Sequence, residues 1–211
     1  AERDPLTGLL TRRKAVSRLR HLLTQSSQKS LPMALATVDL DRFKSVNDTY
    51  GHGMGDRVLK TTAGILQNAF REGDVVARWG GEEIVVGACR MSQDMLLHRL
   101  ETVLASVQAV VYKSPDGTTF STSFSAGVAE FPGDGHELET LLSRSDEALY
   151  RAKEEGRARV LKASSASRVR RVEVTLVEDD ASLAEVIQHA CAERCISIQH
   201  FDDARDFLHS Q

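Results

Sequence analysis

The sequence predicts an α+β fold. It is an α/β sandwich on a ferredoxin-like βαββαβ core, an antiparallel sheet with helices on one face and further helices added around it. Three observations carry this. Residues 33–40 (MALATVDL) form an apolar run between Pro32 and a charged turn, the mark of a buried strand that ends in acid. Residues 75–79 and 83–88 are two short apolar runs separated only by Gly80, Gly81 and Glu82, which reads as a tight hairpin. Stretches of helical periodicity lie before, between and after these strands.

In chain order, residues 12–23 place Ala15, Val16, Leu19, Leu22 and Leu23 on one side of a helix, and the polar stretch 24–30 ends it. After the first core strand, a helix over 56–70 presents Val58, Leu59, Ile65, Leu66 and Ala69. The hairpin follows, then a helix over 93–107, a strand over 119–129 and a helix over 138–154. Residues 163–167 (ASSAS) open a linker over 163–170. Beyond it, 172–177 reads as a strand, 182–194 as a helix and 196–201 as a short strand. There is no internal repeat.

Composition narrows the function classes. The 211 residues are 41% hydrophobic and 27% charged, a globular profile rather than a disordered one. No apolar run approaches the ~20 residues of a bilayer span, and the polar, basic start is not a signal peptide. The three cysteines, Cys89, Cys191 and Cys195, match no disulfide framework or zinc spacing, so a reducing cytoplasm is the expected setting. Residues 1–167 hold 22 Lys and Arg against 21 Asp and Glu, a net of +1, while 168–211 hold 5 against 9, a net of −4. Neither part has the basic face of a nucleic-acid binder, so no nucleic-acid polymer is expected as a partner. Any phosphate ligand must be held by local chemistry. The chain has no initiating Met and is expected to be a piece of a longer protein.

Asp39 and Asp41 sit at the end of the first core strand, and Glu82 and Glu83 at the hairpin. If the strands are neighbours, these carboxylates converge at one sheet edge, where hard oxygen ligands suit Mg²⁺ or Mn²⁺. Gly80 and Gly81 permit positive φ and let a phosphate approach the backbone, although an acidic hairpin tip can also be only a solvated turn. Between residues 39 and 56, Phe43 and Val46 face inward and leave Lys44, Asn47 and Asp56 available. Lys44 suits a phosphate, while an Asn and an Asp together match the donor and acceptor edge of guanine. Asn47 and Asp48 can equally form a turn, with Asp56 a helix N-cap. GHGMG at 51–55 lacks dinucleotide-loop spacing and follows no strand. Arg71 and Asp74 can make a local ion pair or clamp a guanine. Lys153 and Arg157, read as i and i+4 at the end of the last helix, either complement its dipole or bind a terminal phosphate. His52 reads as a turn residue or a support to the site, and Trp79 as packing.

Five motifs in order resemble the GGDEF family of diguanylate cyclases: DPLTGLLTR at 4–12, DLDRFKSVNDTYGHGMGD at 39–56, RWGGEEI at 78–84, SAGVA at 125–129 and SDEALYRAKEEGR at 145–157. The resemblance covers residues 1–162 and implies a nucleotidyl-cyclase, palm-like fold. It implies that two GTP become cyclic di-GMP and two pyrophosphates, each 3′-hydroxyl attacking the α-phosphate held by the facing domain of a homodimer. By the same resemblance Asp39, the Leu40 carbonyl, Glu82 and Glu83 hold two Mg²⁺ (or Mn²⁺) ions, and Glu82 helps deprotonate the hydroxyl. Phe43, Lys44, Gly80, Gly81, Lys153 and Arg157 surround the phosphates, and Asn47 and Asp56 read guanine with His52 nearby. No covalent nucleophile is required. Arg71 and Asp74, an RxxD pair five residues before the signature glycines, become a site for inhibitory cyclic di-GMP. Two departures stand out. Glu82 replaces the name-giving Asp and keeps the carboxylate, and Ile84 replaces Phe at a position expected to face the core.

Residues 171–211 resemble the start of a response-regulator receiver, with Asp179 and Asp180 matching that family's Mg²⁺-binding acids. The phosphorylatable Asp would lie beyond residue 211, and about 40 residues are too few for an independent core. A non-catalytic cyclic di-GMP receptor, or a silent regulatory module, is the alternative to a working cyclase.

Overall fold

The computed structural model describes residues 2–114 and 116–163, and beyond them 174–177, 179, 180, 183, 184, 187, 198–201 and 203. The chain divides into two compact units, Ala1–Ser165 and Ala166–Gln211. In chain order the first unit runs β1 (Leu10–Thr11), α1 (Arg12–Lys29), β2 (Met33–Leu40), α2 (Phe43–Tyr50), α3 (His52–Ala69), β3 (Val75–Gly80), β4 (Glu83–Cys89), α4 (Gln93–Gln108), β5 (Tyr112–Lys113), β6 (Thr119–Phe120), β7 (Phe124–Phe131), α5 (Leu138–Glu154) and β8 (Val160–Lys162).

The main sheet has six strands in the order β1-β3-β4-β2-β7-β8. Its centre, β3-β4-β2-β7, is antiparallel, while β1 and β8 add parallel edges. This is the ferredoxin-like core that the sequence predicts. Every residue of β2 is buried, as its unbroken apolar run requires of a strand covered on both faces. On one face, Ala63 and Leu66 of α3 and Leu96 and Leu100 of α4 pack with Ala36, Val38, Val86 and Val128. On the other, Ala15 and Leu19 of α1 and Leu138 and Leu141 of α5 pack with Leu35, Ala77, Val85 and Ala129. Helices therefore cover both faces. The one-face expectation holds only for α3 and α4, the two helices of the core motif.

Other expectations are corrected by tertiary contacts. The first helix continues through the polar stretch to Lys29, because Ser26 turns inward, fully buried, and its hydroxyl lies 3.1 Å from Cys89 Sγ. Ser30 then ends it with a φ of 49°. The strand read at 119–129 is two strands, because Phe120 leaves the main sheet to stack on Tyr50 at 4.2 Å, and β6 pairs with β5 instead. Residues 43–50, read as loop and turn, form α2, which buries Phe43 and Val46 against a third apolar cluster with Leu40, Val58, Leu59 and Tyr112. Ile84 is fully buried in the core, as expected.

In the second unit, β9 (Val174–Val177) pairs in parallel with β10 (Ile198–Phe201). Residues 183, 184 and 187 are helical, and the rest of the helix read at 182–194 lies outside the described residues. No helix among the described residues is long and apolar enough to cross a membrane.

Candidate active site

Alternation along β2 builds the site. Met33 and Leu35 face α1 and α5, so Thr37 and Asp39 do too. Helix α5 can approach this face because β7 carries Gly127 there. A Cβ at that position would lie 1.9 Å from the Ser145 carbonyl oxygen and 2.3 Å from the Leu149 amide, contacts that no side chain permits. A hydroxyl pair, Thr37 Oγ1 and Ser145 Oγ at 2.7 Å, fixes the register between strand and helix. Two turns further along α5, Lys153 Nζ lies 2.8 Å from Asp39 Oδ1. Gly127 and Ser145 thus set how closely α5 packs on β7 and β2.

Glu83 opens β4 directly opposite Asp39. It is not part of the hairpin turn, whose tip is Gly81 and Glu82. Burial pushes the Asp39 carboxyl up, the Lys153 ammonium pulls it back, and the Glu82 and Asp41 charges push it up again; the net is a value above the ordinary one. Partial burial first, and the Asp39 charge second, likewise raise Glu83. An edge that crowds carboxylate oxygens and leaves their charge only partly answered fits a hard cation in its donor chemistry. Among the described residues, however, no three acids already form a cation cage.

Asp41 does not join that group, contrary to expectation. It is buried, and its carboxylate accepts from the Ser125 hydroxyl at 2.7 Å, the Ser123 hydroxyl at 2.7 Å and the Ala158 amide at 3.0 Å.

The hairpin tip is open. A register shift separates Arg78 from Gly80, Gly81 has a φ of 48°, and a Cβ at Gly80 or Gly81 would meet nothing within 4 Å. Only Gly81, not Gly80, uses positive φ. The tip is held from the N-terminal motif. Arg78 Nε donates to the Gly81 carbonyl at 2.9 Å, and Arg78 Nη1 lies 3.2 Å from both Asp4 carboxylate oxygens. Burial alone would raise Asp4, but hydrogen bonds from the Thr7 hydroxyl and amide, with the Arg78 charge, hold it below its ordinary value. Nothing local to either segment shows that they meet, since Asp4 and Arg78 lie 74 residues apart.

Helices α2 and α3 carry the other arm. Lys44 is exposed on α2, His52 is the exposed first residue of α3, and Asp56 is exposed one turn later. Asp56 lies inside α3, whose N-cap is Gly51, so the N-cap reading is corrected. Asn47 is helical and half-buried, so the turn reading fails as well. A Cβ at Gly55 would sit 1.9 Å from Asn47 Oδ1, so Gly55 makes the space that the Asn47 side chain occupies against α3. Phe43 is buried beneath them.

Lys153 and Arg157 are not i and i+4 on one helix. Helix α5 ends at Glu154, Gly156 turns left-handed with a φ of 111°, and Arg157 lies in the exposed turn beyond, its amide donating to the Ala152 carbonyl at 2.9 Å. At the far end of β3, Arg71 and Asp74 share a turn. The Asp74 carboxylate accepts from the Arg71 amide at 3.1 Å, and among the described residues no ion pair joins the two side chains. In the second unit, Asp179 and Asp180 are exposed, and Asp180 Oδ1 accepts from the Leu183 amide at 3.2 Å. Glu178 lies outside the described residues.

Comparison with known proteins matches this architecture. Residues 1–159 match the family described as diguanylate cyclase, GGDEF domain. The chain is 41% identical over 167 residues to diguanylate cyclase DgcM of Escherichia coli, covering 77% of this chain and 38% of that protein. It is 39% identical over 157 residues to diguanylate cyclase DgcP of Pseudomonas aeruginosa, covering 74% of this chain and 23% of that protein. The chain therefore spans well under half of these relatives. The crystal structure of the GGDEF domain of DgcB from Caulobacter crescentus, in complex with c-di-GMP, superposes with a TM-score of 0.73 at 30% identity, covering 77% of this chain and 96% of that one.

Proposed function

The chain belongs to the GGDEF diguanylate cyclase family, and on that premise we propose that residues 1–162 condense two GTP into cyclic di-GMP and two pyrophosphates. The observation that carries the reading is the sheet edge itself: Asp39 opposite Glu83, Lys153 2.8 Å from Asp39, and open backbone at Gly80 and Gly81 beside them. This edge brings carboxylates and a cation together beside backbone that a phosphate can approach.

Asp39, the Leu40 carbonyl, Glu82 and Glu83 would hold Mg²⁺ or Mn²⁺, two ions per site. A bound divalent cation supplies acidity to the attacking 3′-hydroxyl and charge stabilisation to the departing pyrophosphate. Glu82, at the hairpin tip, takes the hydroxyl proton. Lys153 and Arg157 bind phosphate oxygens, Lys153 exchanging its Asp39 partner for substrate, and Lys44 adds a third cation. Asn47 and Asp56 accept and donate along the guanine edge, with His52 at the rim. One domain holds one GTP, so a second copy must face it for the reaction to occur.

Arg71 and Asp74 would bind cyclic di-GMP as an inhibitor, the Arg71 guanidinium on the guanine Hoogsteen edge. The GGEEI signature is a working variant in which Glu82 keeps the carboxylate and Ile84 fills the core. Residues 163–170 are the linker. Residues 171–211 are the opening of a receiver, whose Asp179 and Asp180 would be its metal-binding acids.

Product analysis with GTP and Mg²⁺ over a range of protein concentrations tests the reading. The expected result is cyclic di-GMP whose specific rate rises with concentration and disappears in Glu82→Ala. Tight cyclic di-GMP binding, lost in Arg71→Ala, with no product at any concentration would make the chain a receptor instead.

A further inference from the structure

Three successive residues after α5 have positive φ: Gly156 at 111°, Arg157 at 66° and Ala158 at 48°. Glycine adopts such angles freely, but arginine and alanine are strained there. A left-handed pair of this kind persists only where surrounding contacts over-determine it. Two contacts do so. The Arg157 amide reaches back to the Ala152 carbonyl, at 2.9 Å. The Ala158 amide donates to Asp41 Oδ2 at 3.0 Å.

Asp41 is itself fixed. Its own amide donates to the Ser123 carbonyl at 2.9 Å, and the Ser123 and Ser125 hydroxyls each donate to its carboxylate at 2.7 Å. This buried acid therefore joins the end of β2, the start of β7 and the turn that displays Arg157. Nothing in the reaction described above uses it.

We propose that Asp41 is a positioning residue for phosphate binding, holding the strained 156–158 turn so that the Arg157 guanidinium faces the terminal phosphates of the nucleotide. The proposal rests on the reading of Arg157 as a phosphate ligand. A guanidinium that binds two oxygens at once needs its backbone fixed, and small displacements of such a clamp carry large losses. Asp41 touches no substrate atom.

The test measures binding of 3′-deoxy-GTP, which lacks the attacking hydroxyl and does not turn over, against binding of GMP, which lacks the terminal phosphates. Both are measured with Mg²⁺ on the whole 211-residue chain. Arg157→Ala is expected to lower the preference for 3′-deoxy-GTP over GMP about tenfold. Asp41→Asn, which removes the carboxylate charge and puts an NH2 donor in place of one of its two acceptor oxygens, weakens the tie to the Ala158 amide and is expected to lower the preference by a similar factor with GMP affinity unchanged. The double variant should lose no more than Arg157→Ala alone. Ala158→Gly, which relieves the left-handed strain, should restore part of the preference in the Asp41→Asn background; a purely structural acid would show no such rescue. Ser125→Ala, which spares the Ala158 contact, should lower the thermal midpoint while leaving the preference intact.

A wild-type preference in Asp41→Asn, or losses that add in the double variant, would overturn the proposal while the reading of Arg157 stands. No preference in the wild type would remove that reading, and the proposal with it. Should Asp41→Asn not fold, hydrogen exchange at the Ala158 amide of the unaltered protein decides: protection supports the tie, and exchange at the free rate overturns it.

Discussion

The strand β3 has a turn at each end, and the two turns treat their polar groups in opposite ways. At its start, Asp74 folds back on its own turn, accepting the Arg71 amide while its own amide donates to the Arg71 carbonyl at 3.0 Å. That turn keeps its shape without help and leaves the Arg71 guanidinium outside. At its end, the Gly81 carbonyl is held by Arg78 of the same strand, which is tied in turn to Asp4 of the N-terminal segment, and burial together with neighbouring carboxylate charge raises Asp39 and Glu83. One turn satisfies its own polar groups, whereas at the edge beside Gly80–Glu83 the carboxylate charge is only partly answered, by Lys153.

The largest effect should come from Asp39→Asn. Initial rates of cyclic di-GMP formation are expected to fall at least about a hundredfold. The thermal midpoint at neutral pH should hold or rise, because a carboxylate that burial disfavours has been removed and Lys153, one-third exposed, can turn to water. Asp74→Ala, at the other end of β3, should do the reverse to stability: losing the acceptor for the Arg71 amide costs about 1 kcal/mol by chemical denaturation. A parallel drop in stability for both variants would erase the distinction between the turns.

Glycine sharpens it next. Gly81→Ala meets no steric obstacle but keeps a φ of 48°, so a loss of about 1–2 kcal/mol is expected in urea unfolding. Gly73→Ala, in the other turn and equally unobstructed, should stay within about 0.5 kcal/mol. Arg71→Ala tests what the self-contained turn offers a guest. The cyclic di-GMP concentration that halves the rate should rise about tenfold, as loss of one bidentate guanine contact implies, and an unchanged inhibition curve would remove the turn from the regulatory reading.

How far the sequence reached follows the range of the interactions. The residues of β2 and α5 were legible because an apolar run and a helical period are local, and both elements run as read. The six residues of α1 beyond Leu23 were not, since Ser26 is buried against Cys89 of β4, 63 residues away in the chain. Helix α2 was hidden because its apolar positions pack on Tyr112 and Leu59 rather than on the main sheet. Asp39 and Asp41 look alike in the sequence. Only their distant partners separate them: Lys153 for one, and Ser123, Ser125 and Ala158 for the other. Arg157 was placed on the helix because i, i+4 spacing suggested it, and the left-handed Gly156 intervened.

The smallest expected effect lies in the acid dependence of stability, where Asp4 and Asp39 pull in opposite directions. Asp4 is held below the ordinary aspartate value of 3.8, so its contribution is fully present above that pH and is lost as pH falls through its folded value. Asp39 is raised above 3.8, so the folded state takes up its proton first. Its cost is fully present above the folded value, is relieved as pH falls through it, and is gone below 3.8. Asp4→Asn should therefore flatten the loss of stability below that pH, whereas Asp39→Asn should remove a gain just above it. Urea midpoints of the wild type and both variants, taken from pH 7 downward, check the two windows separately. If Asp39→Asn instead flattened the loss below 3.8, its carboxylate would be a satisfied support like that of Asp4, and the edge beside it would hold no charge in wait for a ligand.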